Sequence, residues 1–286
     1  MTKGKLPMSL TRFFSDRRAV AGLIFLCVEL AAVLILPLFL GQDPNATDRT
    51  AGFWAEPSVV HLLGTDDVGR DLFARYLSGG RVSLLVGFAS AALGAVLGIP
   101  LGLLAGYKGG KWEYWIMRAC DTFQSFPSII LVLCMVSLLG PSVWNIILVI
   151  GVLGWASIAR LVYGSTLSVR KTAYVEASRA LGATDWGILR RTILPNVAAP
   201  VWAALPLKVA RAILWESSLS FLGVGLRTPQ ASWGNIMQNA MELITLTQRP
   251  WSWLPPGLSI MGTVLSLLLV GEGLRRALNP RGKDPS

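Results

Sequence analysis

The feature that most constrains this chain is a series of long apolar runs. Residues 19–40 are broken by a single ionisable side chain, Glu29. At about 1.5 Å of helical rise per residue such a run reaches roughly 33 Å, enough to cross a hydrocarbon core about 30 Å thick. Within lipid every backbone polar group must be satisfied internally, so runs of this length are expected as helices. Further apolar stretches lie at residues 82–106, 116–139, 143–159, 197–225 and 254–274, which predicts six spans. Composition agrees: 53% of residues are hydrophobic, 15% are charged and the mean hydropathy is +0.55. Disordered chains and ordinary water-soluble domains are excluded on those values. Arg17 and Arg18 precede the first run as the basic residues of a signal peptide would. The run is too long for one and no Ala-x-Ala site closes it, so an uncleaved anchor is expected.

The chain carries 26 Lys and Arg against 16 Asp and Glu, a net charge of +10. Membrane proteins concentrate basic residues in cytoplasmic loops, which turns the excess into a topology signal. With the N-terminus inside, the inner segments hold Lys3, Lys5, Arg12, Arg17 and Arg18; Lys108, Lys111 and Arg118; Arg160, Arg170, Lys171, Arg179, Arg190 and Arg191; and Arg275, Arg276, Arg281 and Lys283. Those are 18 of the 26, against six outside: Arg49, Arg70, Arg75, Arg81, Arg227 and Arg249. Both termini are therefore expected in the cytoplasm, and the basic balance needs no nucleic acid. The expected division is a cytoplasmic segment over residues 1–18 and a membrane domain over 19–286. The latter has outer loops at 41–81 and 226–253 and a cytoplasmic loop at 160–195.

Chemistry-bearing clusters are scarce. Cys27, Cys120 and Cys134 fall in apolar runs and read as small buried hydrophobes. His61 stands alone, so no metal ligand set can be assigned. Gly110-Lys111 has only a superficial likeness to a phosphate loop, since Trp112 follows where Ser or Thr is required and Ala105 replaces the leading Gly. No catalytic residue, metal or cofactor is expected on this chain. Gly94, Gly98, Gly102 and Gly106 share one helix face and predict close helix packing, with Pro100 expected to kink that helix. Asp121 is expected to pair with Arg118, Glu272 with Arg275, and Trp233, Trp251 and Trp253 to form an interfacial aromatic belt.

The most informative segment is the cytoplasmic connection after the fourth span. Good helix formers run over residues 171–181, Gly182 suits a left-handed cap, and Thr184 or Asp185 can start a second short helix that Pro195 ends. The prediction is a helix-turn-helix finger with small residues at Ala177, Ser178, Ala180 and Gly182, fit to seat in a groove of a partner. Its residues resemble the cytoplasmic signature of ABC-importer permeases: Glu-Ala-Ala, three residues, Gly, nine residues, Ile, one residue, Leu-Pro. The match falls at Glu176, Ala177, Gly182, Leu194 and Pro195. Ser178 stands for the third small residue and Thr192 for the Ile. The resemblance implies that this finger couples the membrane chain to an ATP-binding subunit.

A second resemblance narrows the family. The outer segment from His61 through Gly64, Thr65, Asp66, Asp67, Gly69, Arg70 and Asp71 to Arg75, with Gly80, Arg81 and Ser83, is similar to the second permease subunit of dipeptide, oligopeptide and nickel importers. Phe126-Pro127, the stretch from Leu219 to Gly225, Trp233-Gly234 and the closing segment from Gly271 to Arg275 resemble the same family, so the likeness covers nearly the whole chain. It implies an all-α, six-helix type I importer permease in a bacterial plasma membrane that binds no cofactor itself. ATP and Mg would sit on two separate ATPase subunits. The implied partners are a second homologous permease, completing a heterodimer, and an extracytoplasmic substrate-binding protein. The implied cargo is a dipeptide or oligopeptide, with nickel or a metallophore complex as the alternative. From the residues themselves, Leu72, Phe73 and Tyr76 after Asp71 suit a short helix lying on the outer interface. Asp66, Asp67, Arg70 and Asp71 then serve either as caps and surface charges or as a docking face for the binding protein.

Charge inside a membrane is costly and usually functional. Lys208 and Arg211 lie roughly 18 and 22 Å along the fifth span, near mid-depth. Two readings fit: a buried ion-pair network with Glu216 and Glu29, or a translocation path where Lys208, Arg211 and Glu216 meet a substrate bearing carboxylates. An ion-coupled secondary transporter is the alternative of a different class; it requires midplane coupling carboxylates or inverted repeats, and neither is evident.

Overall fold

A computed structural model describes residues 8–278 of the chain. It is built from α1 (Met8–Ser15), α2 (Arg17–Leu40), α3 (Leu72–Lys108), α4 (Gly110–Ser125), α5 (Ser128–Leu139), α6 (Val143–Val169), α7 (Ala173–Ala180), α8 (Asp185–Ile188), α9 (Leu194–Phe221), α10 (Trp233–Gln238), α11 (Leu243–Gln248) and α12 (Pro250–Leu278). A five-residue π-turn, Leu189–Ile193, joins α8 to α9, so helical backbone runs from Asp185 to Phe221. Lys3, Lys5, Arg281 and Lys283, counted toward the topology, lie outside the described residues.

Among the described residues five helical stretches are long and apolar enough to cross a membrane: α2, α3, α6, α8 through α9, and α12. The expected third span is instead a bent pair, α4 and α5, meeting at 86° across Phe126-Pro127. Pro127 has no amide hydrogen to continue the α4 ladder, and its ring pushes Phe126 into the extended region, at φ −97° and ψ 145°.

The packing of α3 on α6 shows that this bent pair nevertheless returns the chain across the bundle. A Cβ added to Gly98 would lie 2.7 Å from the Trp155 carbonyl oxygen; at Gly102 it would lie 2.5 Å from that of Ala159, and at Gly106 2.6 Å from Thr166 Cβ. Residue numbers rise together along the two helices, so α3 and α6 are parallel. Parallel neighbours start at the same end, which only a crossing connection between them allows. The glycine stripe thus gives the close packing expected of it, and Pro100 sits inside α3 without ending it. Against α3, α9 runs antiparallel, with Gly87 packed on Ile213 and Val209. α12 completes the bundle against α9 and α2, where Gly22 meets the Ser266 backbone and Gly273 meets Ala19.

Several expectations change here. Leu72, Phe73 and Tyr76 open α3 itself, because Asp71 caps it by accepting the Ala74 amide at 2.7 Å. The 37-residue helix extends roughly 55 Å, well past the hydrocarbon. Trp233 is fully buried: its ring packs beside Tyr76, 6.3 Å between centroids, and its indole donates to the Tyr76 carbonyl. Of the cysteines only Cys120 is buried; Cys27 and Cys134 are on the outer surfaces of the helices. Asp121 pairs with Arg160 as well as with Arg118, and Glu272 with both Arg275 and Arg276.

Gly102→Val should destabilise the bundle by about 1–3 kcal/mol or more, because the obstructing atom is backbone. Gly154, on α6, has open space around it, and Gly154→Ala should be neutral. Thermal unfolding of the purified protein in detergent checks both; equal midpoints would refute the seam.

Candidate functional site

Candidate site residues gather at three places: a finger at one end, a folded loop at the other, and a cleft between. The finger consists of α7, α8 and their turn. Val175, Ile188 and Ile193 are buried and pack in a cluster with Tyr107, Ile158, Val162 and Val197, fixing it to the bundle. Gly182 has φ +78°, a conformation glycine adopts without strain, and the Ala183 amide returns to the Ser178 carbonyl at 3.1 Å to close α7. Thr184 caps α8 by accepting the Gly187 amide. Asp185 accepts from Tyr107 Oη at 2.7 Å and Lys108 Nζ at 2.5 Å, tying the finger to the end of α3. Arg170 donates to the Gly106 carbonyl at 2.8 Å.

Glu176 and Ala177 are exposed on α7, while the Ser178 hydroxyl donates to the Tyr174 carbonyl. Leu194 and Pro195 sit at the finger's base. Pro195, expected to end the second short helix, does not end it: it is the second residue of α9, directly after the π-turn, and the helical backbone runs on through it to Phe221. Sequence reasoning missed the two side chains that dominate the exposed surface, Leu181 at 87% and Trp186 at 70% exposure. Their signal was present as large apolar residues in an otherwise polar turn.

At the opposite end residues 41–71 fold on themselves. Asp66, buried, accepts the amides of Val68 at 3.0 Å and Arg70 at 2.8 Å and the Nε of Arg70 at 2.6 Å, with Arg75 Nε at 3.4 Å. Thr65 bridges the Gly52 carbonyl and Ala55 amide. Asp71 meets His61 Nδ1 at 2.7 Å besides capping α3. The Thr50 hydroxyl and amide hold the Asp48 carboxyl down at about 2. Gly64, at φ +69°, passes so close to the Ala55 carbonyl that a Cβ would lie 2.1 Å from it; Gly69 is also left-handed, at φ +82°. Most of the proposed docking residues are thus committed to the loop's own structure, while Asp67 and Val68 are exposed. Arg70 and Arg75 also line a pocket of about 270 Å³ with Arg227 and Asn235, shared by this loop and the segment from the end of α9 into α10.

Between the ends, Lys208 and Arg211 line a cleft of about 240 Å³ with Ser90, Gln124, Ser128 and Ser157. Lys208 Nζ donates to Ser157 Oγ. Glu216 is not with them. It is fully buried on another face of α9, where Ser83 and Ser220 each donate to it at 2.8 Å, and the Trp233 amide donates to Ser83. Glu29 likewise accepts from Thr263. The expected ion-pair network therefore does not form: among the described residues each carboxylate is satisfied by hydroxyls, and neither Lys208 nor Arg211 has an acidic partner.

Residues 98–284 match the family described as binding-protein-dependent transport system inner membrane component. A protein of Brucella suis named as a peptide permease is 40% identical over 281 residues, 98% of this chain and 92% of its own length. The glutathione transport system permease protein of Pectobacterium atrosepticum is 35% identical over 96% of this chain and 90% of its own. Among solved structures, an inward-facing MetNI methionine ABC transporter chain aligns with a TM-score of 0.58 and 23% identity, covering 73% of this chain and 96% of that one. That likeness is one of fold.

Asp66→Ala should cost about 3–5 kcal/mol, because it strips the carboxylate from Arg75, a buried cation 3% exposed. Asp67→Ala, at the surface, should stay within about 0.5 kcal/mol. Thermal unfolding in detergent separates them; equal, small effects would show that Asp66 does not hold the loop.

Proposed function

The chain belongs to the family of binding-protein-dependent transport inner membrane components, multi-pass permeases of the inner membrane, and from that premise we propose that it forms half of the pathway of an ATP-driven peptide importer. The other half is a second, homologous permease. Two cytoplasmic ATPase subunits drive the pair, and an extracytoplasmic binding protein delivers the cargo. ATP and Mg belong to the ATPase subunits, and this chain's part is mechanical rather than catalytic.

The observation that carries the coupling role is the finger's two-sided character. Its inner face is locked by Val175, Ile188 and Ile193, while Leu181 and Trp186 stand in solvent with no packing partner among the described residues. Large apolar groups held out rigidly are the usual mark of a protein interface. Arg170, Lys171, Arg179, Arg190 and Arg191 lie in the same segment, which supports a cytoplasmic placement of this end and, with it, cytoplasmic termini. The ties from Asp185 to Tyr107 and Lys108 give a displaced finger a direct pull on α3. Glu176, Ala177, Ser178 and Gly182 form the docking face, with Leu194 and Pro195 as its hinge to α9. Peptide cargo is supported by relatives named for peptides and for glutathione, ahead of nickel or a metal chelate.

On the outer face, Asp67 and Val68 with the rim of the Arg70, Arg75 and Arg227 pocket receive the binding protein. Gly64, Thr65, Asp66, Gly69 and Asp71 shape that surface from beneath.

Trp186→Asp removes an interface anchor and Gly182→Glu forces a bulky charged residue onto the left-handed position that shapes the docking turn, so each should reduce peptide uptake by the assembled transporter about tenfold or more. The same variants should co-purify with less ATPase subunit. Full uptake with normal ATPase recovery would overturn the coupling role.

A further inference from the structure

We infer that the mid-membrane cleft is a recognition point for the carboxylate of the transported peptide, an assignment that rests on the peptide-importer reading above. The cleft lies where the bend between α4 and α5 opens toward α6 and α9. Lys208 and Arg211 reach it from α9, Ser157 from α6, Gln124 from the last turn of α4, and Ser128 begins α5 at its wall. No Asp or Glu is among its lining residues. Ser157 is 14 residues from one end of α6 and 12 from the other, so the contact between Lys208 and Ser157 is close to the middle of the bundle, roughly 20 Å from either end of that helix. Lipid phosphates at the membrane surface are too far away to serve as the counter-ion.

Two cations side by side at that depth, with no acidic partner, are costly unless water or an anion reaches them. The broken helix adds to the same field. Pro127 precedes α5 as its N-cap without a side-chain hydrogen bond, and among the described residues the first amides with an acceptor are those of Ile130 and Leu131, both on the Pro127 carbonyl. The amides of Ser128 and Ile129 are therefore free, and the positive end of a twelve-residue helix is directed at the cleft wall. Ser157 and Gln124 supply neutral hydrogen-bonding groups. The set matches a carboxylate: two cations to balance its charge, hydroxyl and amide groups to orient it, and an adjoining Trp215 and Phe123 for apolar substituents. Arg211 is exposed in the single chain, so the site opens toward the region where the second permease completes the pathway.

The test uses the complete transporter in proteoliposomes, with binding protein loaded to equal occupancy with one peptide, either as the free acid or C-terminally amidated. The wild type should import the acid faster than the amide. Lys208→Gln with Arg211→Gln should slow acid uptake about tenfold or more and leave the amide rate within about twofold, as loss of charge-assisted hydrogen bonds predicts. Lys208→Arg with Arg211→Lys, which keeps both charges, should retain the preference for the acid and exclude misfolding as the cause. Equal slowing of acid and amide by the Gln pair would overturn the assignment and give the cations a packing role or a carboxylate of the partner permease. No effect of the Gln pair would overturn it as well, while leaving peptide import standing. A wild type that imports neither peptide would remove the peptide reading and this site with it.

Discussion

The close parallel packing of α3 on α6 is the constraint from which the rest of this structure follows. Glycines at four-residue spacing allow backbone to approach backbone, which in lipid replaces the hydrophobic drive that water would provide. Two neighbouring helices held parallel oblige the intervening chain to cross back. The crossing is made by two half-helices rather than one, and the bend at Phe126-Pro127 opens a polar cleft inside the bundle. The same seam ends at Gly106, beside the residues that clip the finger to α3. One packing arrangement thus sets the path of the chain, the location of the cleft and the anchor of the finger.

A second regularity is how the bundle treats charge. Glu216 is enclosed by serines from α3 and α9, and Glu29 by Thr263 of α12, so each carboxylate joins helices through hydroxyl groups instead of through ion pairs. Such hydrogen bonds are short-range and direction-dependent, which favours one packing arrangement. Lys208 and Arg211 are treated differently. They line a cleft with no acidic residue among its lining, so neither joins helices through a carboxylate.

Much of this was legible in the sequence. Apolar runs longer than about 18 residues have few alternatives to spanning, and the finger's caps at Gly182 and Thr184 follow from residue type alone. The glycine stripe was visible as a contact surface, although the sequence could not name α6 as its partner. The sharp bend was hidden because hydropathy sums continuously across residues 116–139 whether or not the helix is broken. Trp233 was misplaced because an aromatic residue near a span end has the same composition signal whether it faces lipid or packs inward. Cys27 and Cys134 were misplaced since, in a membrane, an apolar run does not say which face is buried. The supposed link from Glu216 to Arg211 failed for a reason helical geometry already contained: five residues at 3.6 per turn set the two roughly 140° apart around α9. Leu181 and Trp186 were legible only as large apolar residues in a polar turn, which does not say whether they pack inward or stand in solvent.

The proposed function requires that nucleotide energy, delivered through the finger, drives import along a path this chain helps to form. Its most direct measurement is peptide accumulation in sealed vesicles holding the complete transporter and loaded binding protein, with ATP on the cytoplasmic side and the proton gradient collapsed by an uncoupler. Accumulation that needs ATP and is indifferent to the uncoupler is the predicted result. Accumulation that persists without ATP and vanishes with the gradient would contradict it and make the protein an ion-coupled transporter.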